Sequence, residues 1–395
     1  MRELVALDMP ASNSLVDVIK AIWDDGNGFV PIDQRLSIKA KRVIIESLRP
    51  SQIIGSAGDV TSLPDALPLE NEQCLAMATS GTTGHPKIVM FTMAQIEASA
   101  WATSGHIGIT SSDKWLCCLP IAHIGGLSVI LRALLTGNPV EVHDGFNADD
   151  ANAAARDGAT LVSLVPTAMT RLDPYIFRKI ILGGSKPPAN IPSNTMVTYG
   201  LTESGSGVVY DGMPLPGVEY KVTSSGEILL KGPMIATRYR SGAAIQDESG
   251  WFHTGDAGTI SNGKLEVDGR IDDIINSGGE KISPALVERV LEMHPKVQQV
   301  AVIAFPDPKW GEAVTAVVVP SPDLAAPQLE ELREYVKSEL PPHFAPTRLQ
   351  IVSRMPTTNL GKIQKNVLKK QLAERQAPHE GAAIDDKVGP GDPAG

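Results

Sequence analysis

Hydrophobic residues recur at helical spacing over 13–22 and 35–48, with acidic, Gly and Pro punctuation between and after them, which predicts two helices. The apolar run 74–80, CLAMATS, reads instead as a buried strand that feeds directly into a glycine-rich segment. A helix capped by Thr92 is predicted to follow, as far as Ser104. Short apolar runs at 116–120, 139–143 and 160–166, with a helical stretch at 125–135 among them, alternate strand with helix and point to an α/β sheet faced by helices. The runs 180–184 and 196–200 each end on glycine and open into polar loops, at the strand end where open α/β sheets bind ligands.

The periodicity changes after Val209. Residues 217–232 and 256–268 read as hairpins, the second turned by Asn262-Gly263, so a β-rich subdomain is predicted over about 210–268. A second shift near Gly269 opens an α+β unit: a helix over 284–294 started by Ser283-Pro284, strands near 298–305 and 313–319, a helix over 328–339, a strand near 348–353 and a terminal helix. The expected domains are 1–268 and 269–375, followed by a Gly-, Pro-, Ala- and Asp-rich tail, 376–395, expected to be disordered.

Composition narrows the function. A chain of 395 residues exceeds what a single core usually serves, in keeping with two domains. A net charge of -10, from 45 acidic and 35 basic residues, gives no electrostatic footprint for nucleic acid. Cys74, Cys117 and Cys118 do not make a disulfide framework, which favours a reducing, cytoplasmic compartment. The N-terminus does not read as a signal peptide, and no apolar run reaches the roughly 18 residues of a spanning helix, so no membrane insertion is expected.

Several segments could carry chemistry. In Ser80-Gly81-Thr82-Thr83-Gly84-His85-Pro86-Lys87, small hydroxylic residues and glycines offer N–H and O–H groups to a phosphate, and Lys87 adds charge. The segment matches neither GxxxxGK[ST] nor GxGxxG. In Tyr199-Gly200-Leu201-Thr202-Glu203, a hydroxyl beside a carboxylate suits a phosphoryl oxygen and Mg²⁺. Asp256 in Thr254-Gly255-Asp256 and Arg270 in Gly269-Arg270-Ile271-Asp272-Asp273 suit ribose and phosphate oxygens, or else an ion pair on a surface turn. Gly278-Gly279 would admit close approach of a ligand. His123 stands in an apolar run, where a lone histidine is more often a core or helix-start residue. Lys362, behind Gly361, is locally a solvated lysine or a mobile cation.

Together, SGTTGHPK, YGLTES, WFHTGD, GRIDDIINSGGEKISP and NLGKIQK resemble, in order and spacing, the acyl-adenylate-forming superfamily of acyl-CoA synthetases, over about 74–372. The resemblance implies an α/β adenylate-forming fold: a large N-terminal domain of layered α/β sheets with a β-rich subdomain, and a small mobile α+β C-terminal domain hinged near Asp272. It implies ATP, Mg²⁺ and coenzyme A as ligands, and a small carboxylic acid as substrate. Residues 80–87 would cover the β and γ phosphates, with Thr202 at the α-phosphate and Glu203 on Mg²⁺. Gly183, Gly184 and Ser185 would border the adenine and acyl sites. Tyr199 would stack on adenine beside Gly200, and Asp256 and Arg270 would hold the ribose. His123 would line the acyl pocket, and Lys362 would bridge carboxylate and α-phosphate. Gly278 and Gly279 would serve the thiol step. Homodimers are common in such ligases.

Lys281 stands where many relatives carry arginine, replacing a bidentate fork by a point charge. The chain is short for the superfamily, with the deficit ahead of Cys74. In that compactness it is most similar to the o-succinylbenzoate-CoA ligases of bacterial menaquinone synthesis, which implies an aromatic dicarboxylate substrate. Among Arg132, Arg156 and Arg171, no local pattern singles out a cation for its second carboxylate. A fatty or aryl acid-CoA ligase, an enzyme loading a carrier-protein thiol, and a degenerate binding scaffold are the alternatives.

Overall fold

The structure is a computed structural model that describes residues 2–70, 72–79, 86–185, 187–188, 190–322, 324–357 and 363–376. The chain forms two units, 1–272 and 273–395.

Among the described residues, the first unit carries three sheets. One has the parallel strands Leu4–Asp8, Gly28–Pro31 and Gln52–Gly55 at its centre, joined by the helices Asn13–Asp24 and Ile38–Leu48. Ser12 caps the first helix by accepting from Leu15 N at 3.3 Å, and Ile19 and Leu15 turn fully inward, as the helical spacing requires. The buried strand Gln73–Thr79 extends this sheet and turns back as Lys87–Thr92; the register pairs Thr79 with Lys87. Thr92 caps the helix Met93–Ile107 in a reciprocal box with Gln95.

In the second sheet, Trp115–Cys117, Leu161–Leu164, Lys179–Leu182 and Thr195–Tyr199 run parallel and side by side. Strand 160–166 of the sequence reading ends at Leu164, because Pro166 opens a short helix, Pro166–Met169. The four-stranded third sheet comprises Glu219–Val222, Glu227–Lys231, Phe252–Ser261 and Lys264–Arg270. Asn262 and Gly263, at φ of 52° and 75°, make the expected tight turn.

The second unit wraps the long hairpin Val297–Asp307 and Gly311–Pro320 with helices on both faces. The helix expected over 284–294 is Pro284–Leu291; His294 precedes Pro295, a position that disfavours helical backbone. The tail from 377 lies outside the described residues. Cys74, Cys117 and Cys118 are buried free thiols, and among the described residues no helix is long and apolar enough to cross a membrane.

Asp113 locks the start of the second sheet. Its side chain, 1% exposed, accepts from Arg178 Nε and Nη2 at 2.8 and 2.7 Å, from Thr160 Oγ1 at 2.7 Å and from Thr110 N at 2.8 Å. Burial works to raise its pKa, but Arg178 and the two threonines overcome it and hold the carboxyl at about 2. A depressed carboxyl stabilises the fold above its unfolded pKa and loses that contribution as pH falls toward 2. The loss is about 2 kcal/mol. Urea unfolding measured between pH 5 and pH 2 is expected to show this drop in the wild type and a shallower one in Asp113→Asn, which is also the less stable protein at pH 7.

Candidate functional site

Because the four parallel strands of the second sheet point the same way, their following segments leave from one edge. These segments carry His123, then Gly183-Gly184-Ser185, then Gly200 to Glu203. Any Cβ at Gly200 would collide with the Ser206 carbonyl, so only glycine lets the chain double back here. The turn Thr202–Ser204 is fixed by Leu201 N donating to Ser204 Oγ at 2.8 Å, and Ala236 N donates to Glu203 O at 2.8 Å.

Two carboxylates organise what surrounds that turn. Glu203 Oε1 accepts from Tyr239 Oη at 3.0 Å, and Tyr239 sits on an edge strand paired with Lys87–Thr92. Lys87 Nζ lies 5.7 Å from the centre of the Tyr239 ring. Burial and then the Glu203 charge push the Tyr239 hydroxyl pKa up, keeping it a donor. Asp256, 8% exposed, accepts from Tyr199 Oη at 2.8 Å on Oδ2 and from Arg270 Nη1 at 3.0 Å on Oδ1. Arg270 also donates to Thr254 O at 2.8 Å, and the hairpin register sets Asp256 opposite Arg270. Burial, then the Asp256 charge, raises the Tyr199 pKa.

The structure thus brings Lys87, Tyr199, Gly200, Thr202, Glu203, Asp256 and Arg270 into linked networks in the first unit. Ser80, Gly81, Thr82, Thr83 and Gly84 lie outside the described residues, as does Lys362. In the second unit, Gly278 and Gly279, at φ of 62° and 88°, form the turn of the hairpin Ile275–Ser277 and Glu280–Ile282, with Lys281 exposed on its second strand. A Cβ on Gly278 would come within 2.8 Å of the Trp310 ring.

A family model described as AMP-binding enzyme matches residues 2–240, and one described as AMP-binding enzyme C-terminal domain matches 286–362. The chain belongs to the AMP-binding enzyme family. Its fold is the mixed α/β fold of adenylate-forming enzymes, with a large N-terminal domain of several sheets and a small C-terminal domain. It is 35% identical over 327 residues to a 2-succinylbenzoate-CoA ligase of Listeria monocytogenes, covering 75% of this chain and 69% of the relative. It is 31% identical over 385 residues to the 2-succinylbenzoate-CoA ligase of Bacillus subtilis, covering 88% and 78%. The structure of o-succinylbenzoate CoA synthetase from Bacillus subtilis in complex with its acyl-adenylate superposes with a TM-score of 0.80 at 28% identity, covering 93% of this chain and 88% of that one.

Within this AMP-binding chain, no group of three or more metal-ligating side chains gathers among the described residues. The site still fits magnesium, which takes one or two carboxylates plus phosphate oxygens: among the described residues Glu203 Oε2 has no hydrogen bond, and Thr202 precedes it in the chain.

Two residues, Tyr239 and Arg35, escape local sequence patterns, and a third, Arg132, stood among three arginines without being singled out. Tyr239 follows an apolar stretch and gives no motif. Arg35 lies on the loop after Gly28–Pro31, held by Asp33 at 2.7 Å, and its Nη2 reaches His123 Nε2 at 3.1 Å. Arg132 had a legible signal as the only charge in the apolar helix Ile124–Thr136. It is 3% exposed, its guanidinium 4.9 Å from the Trp115 ring centre and Nη2 3.3 Å from Ser163 Oγ. Among the described residues its Nε has no partner and no carboxylate pairs with it, while the Tyr210 hydroxyl meets the guanidinium. Arg156 and Arg171 are both exposed.

His123 begins the helix Ile124–Thr136 without capping it through its side chain. As the acceptor of Arg35, Nε2 is unprotonated and the proton rests on Nδ1. Surrounding protein and then the Arg35 charge lower the pKa of His123, against a smaller opposing pull from Asp33. An NMR titration of the histidine ring protons is expected to place His123 below the ordinary 6.5 and to show its pKa rising in Arg35→Ala. A fall in that variant contradicts the arrangement.

Proposed function

We propose that this adenylate-forming ligase activates an aromatic dicarboxylate of the o-succinylbenzoate type and transfers it to coenzyme A. The acid's carboxylate oxygen attacks the α-phosphorus of ATP and pyrophosphate leaves. The thiol sulfur of coenzyme A then attacks the acyl carbonyl carbon and AMP leaves. Asp256 accepts the ribose hydroxyls, aligned by Arg270, and Tyr199 offers its ring to adenine. Gly183, Gly184 and Ser185 border the base and the acyl group. Thr202 donates to the α-phosphate, and residues 80–87 take the β and γ phosphates. When bound at Glu203, magnesium supplies charge neutralisation on the phosphate oxygens. Lys362 supplies a cation for the two anions that must meet in adenylation, while Gly278, Gly279 and Lys281 serve the thiol step.

The observation that carries the substrate class is Arg132. A buried guanidinium with no carboxylate partner is costly, and an incoming carboxylate offsets that cost. Arg132 lines a narrow, largely apolar pocket together with Ile124, next to His123, and Gly205, two residues past Glu203; the pocket has room for about one water molecule, so a bound acid requires it to widen. Along the helix axis it stands about 13 Å beyond His123. An arginine side chain in a helix leans back toward the N-terminus, which shortens that span to the scale of a substituted benzoate. One carboxylate would meet Arg132 while the other reacts near His123. The named ligases among the relatives support the same class.

A panel of carboxylic acids assayed for AMP formation with ATP, Mg²⁺ and coenzyme A is expected to favour o-succinylbenzoate over monoacids. Arg132→Met is expected to raise its KM by about 10- to 100-fold with little change for an aryl monoacid, since the lost contact is charge-assisted. Equal preference for monoacids in the wild type contradicts the substrate class. Lys362→Ala is expected to slow adenylation by about 10²- to 10³-fold while sparing thioester formation from supplied acyl-adenylate. Equal loss in both half-reactions contradicts the role of Lys362.

A further inference from the structure

The second unit contains a partly buried ion pair that the proposed chemistry does not use. Glu288, on the helix Pro284–Leu291, has a side chain 14% exposed and lies 2.7 Å from Lys365 Nζ through Oε1. The same oxygen accepts from Val302 N at 2.6 Å. Val302 belongs to Val297–Asp307, which pairs with Gly311–Pro320 on one side and, among the described residues, has no strand on its other side. An open edge strand leaves outward N–H groups in need of partners, and Glu288 satisfies this one. Burial raises the Glu288 pKa, and Lys365 is the counter-charge that opposes the rise.

The pair also joins two layers. Alternation along the strand sends Val300 and Val302 to the face covered by Pro284–Leu291, and Ala301, Ile303 and Phe305 to the face covered by Leu368 and Leu372 of the helix Lys365–Gln376. Lys365 is the first residue of that helix. Its contact with Glu288 therefore crosses the sheet edge and ties the helix start on one face to a helix on the other. Just upstream, Thr357 and Ile363 form an antiparallel bridge and Gln364 N donates to Pro356 O at 2.8 Å. Ile363 packs against the apolar cluster of Ile303 and Phe305.

We infer that Glu288 and Lys365 are positioning residues for the adenylation half-reaction, fixing the helix start from which the segment ending in Lys362 departs. The inference rests on the role proposed above for Lys362. That lysine is three residues before Lys365 in the chain and directly before Ile363, so the chain that carries it is held at Ile363 and Lys365. Misplacing a reacting group by about 1 Å can cost on the order of 10²-fold in rate. The nucleoside contacts proposed above are all supplied by the first unit, so nucleotide affinity is expected to be indifferent to the pair.

The test uses the full chain and compares Lys365→Met, Lys365→Arg and Glu288→Gln with the wild type and with Lys362→Ala. Adenylation is read as o-succinylbenzoate-dependent ATP–pyrophosphate exchange, and the second half-reaction as coenzyme A-dependent release of AMP from supplied acyl-adenylate. Lys365→Met is expected to lower the exchange kcat by about 10- to 100-fold with the KM for ATP and the second half-reaction within about twofold of wild type. Lys365→Arg is expected to restore most of the exchange. Where Lys365→Met fails to fold, Glu288→Gln decides, because it keeps an oxygen for Val302 N while removing the charge that Lys365 meets. Unchanged exchange in a folded variant of the pair, or equal loss in both half-reactions, overturns the inference. If Lys362→Ala retains full exchange, the functional reading itself fails; if it loses exchange while the pair variants do not, the positioning inference alone fails.

Discussion

The first unit is organised around a carboxylate that burial would otherwise forbid. Asp256 is almost wholly enclosed, and an enclosed charge is tolerable only with its lone pairs occupied. Tyr199, from the end of a parallel strand in one sheet, takes one oxygen, and Arg270, from the neighbouring strand of another sheet, takes the other. Thr254 fixes the backbone beneath by receiving Asp256 N at 3.0 Å while donating to Ile228 O at 2.7 Å. Two sheets are thereby pinned at one point, and the turn bearing Thr202 and Glu203 follows directly from the pinned tyrosine. The geometry proposed for the nucleotide rests on this junction.

The segments that make the junction were readable because each packs its chemistry into a few consecutive residues. Tyr199 to Glu203 and Gly269-Arg270 are short strand ends or turns, Thr254 to Asp256 lie in the strand Phe252–Ser261, and their resemblance in order and spacing to the acyl-adenylate-forming superfamily implied that they serve one site. The hairpin at Asn262-Gly263 and the cap at Thr92 were legible for the same reason, since turn and cap chemistry is local. The parallel unit of Leu4–Asp8, Gly28–Pro31 and Gln52–Gly55 went unread. Leu4 and Ala6 face one apolar cluster and Val5 and Leu7 another, so the first strand shows no alternation, and all three strands are four or five residues long.

Long-range partners were the other gap. Arg35 meets His123 across 88 positions of sequence, and Tyr239 meets Glu203 across 36. Nothing in the neighbourhood of either residue marks it, because the partner is chosen by the arrangement of strands. Arg132 is intermediate: its isolation in an apolar helix was visible, while the absence of a carboxylate partner among the described residues required the surrounding side chains. The glycine-rich loop and Lys362 carry the strongest sequence patterns and lie outside the described residues, so their roles stand on motif and family.

The most direct measurement is calorimetric titration of AMP into the wild type and into Asp256→Ala, with circular dichroism to establish that the variant is folded. If Asp256 receives the ribose hydroxyls, affinity falls by about 10- to 100-fold, the scale of one or two hydrogen bonds to a charged acceptor. An unchanged affinity in a folded variant contradicts the nucleoside cradle on which the proposed chemistry depends.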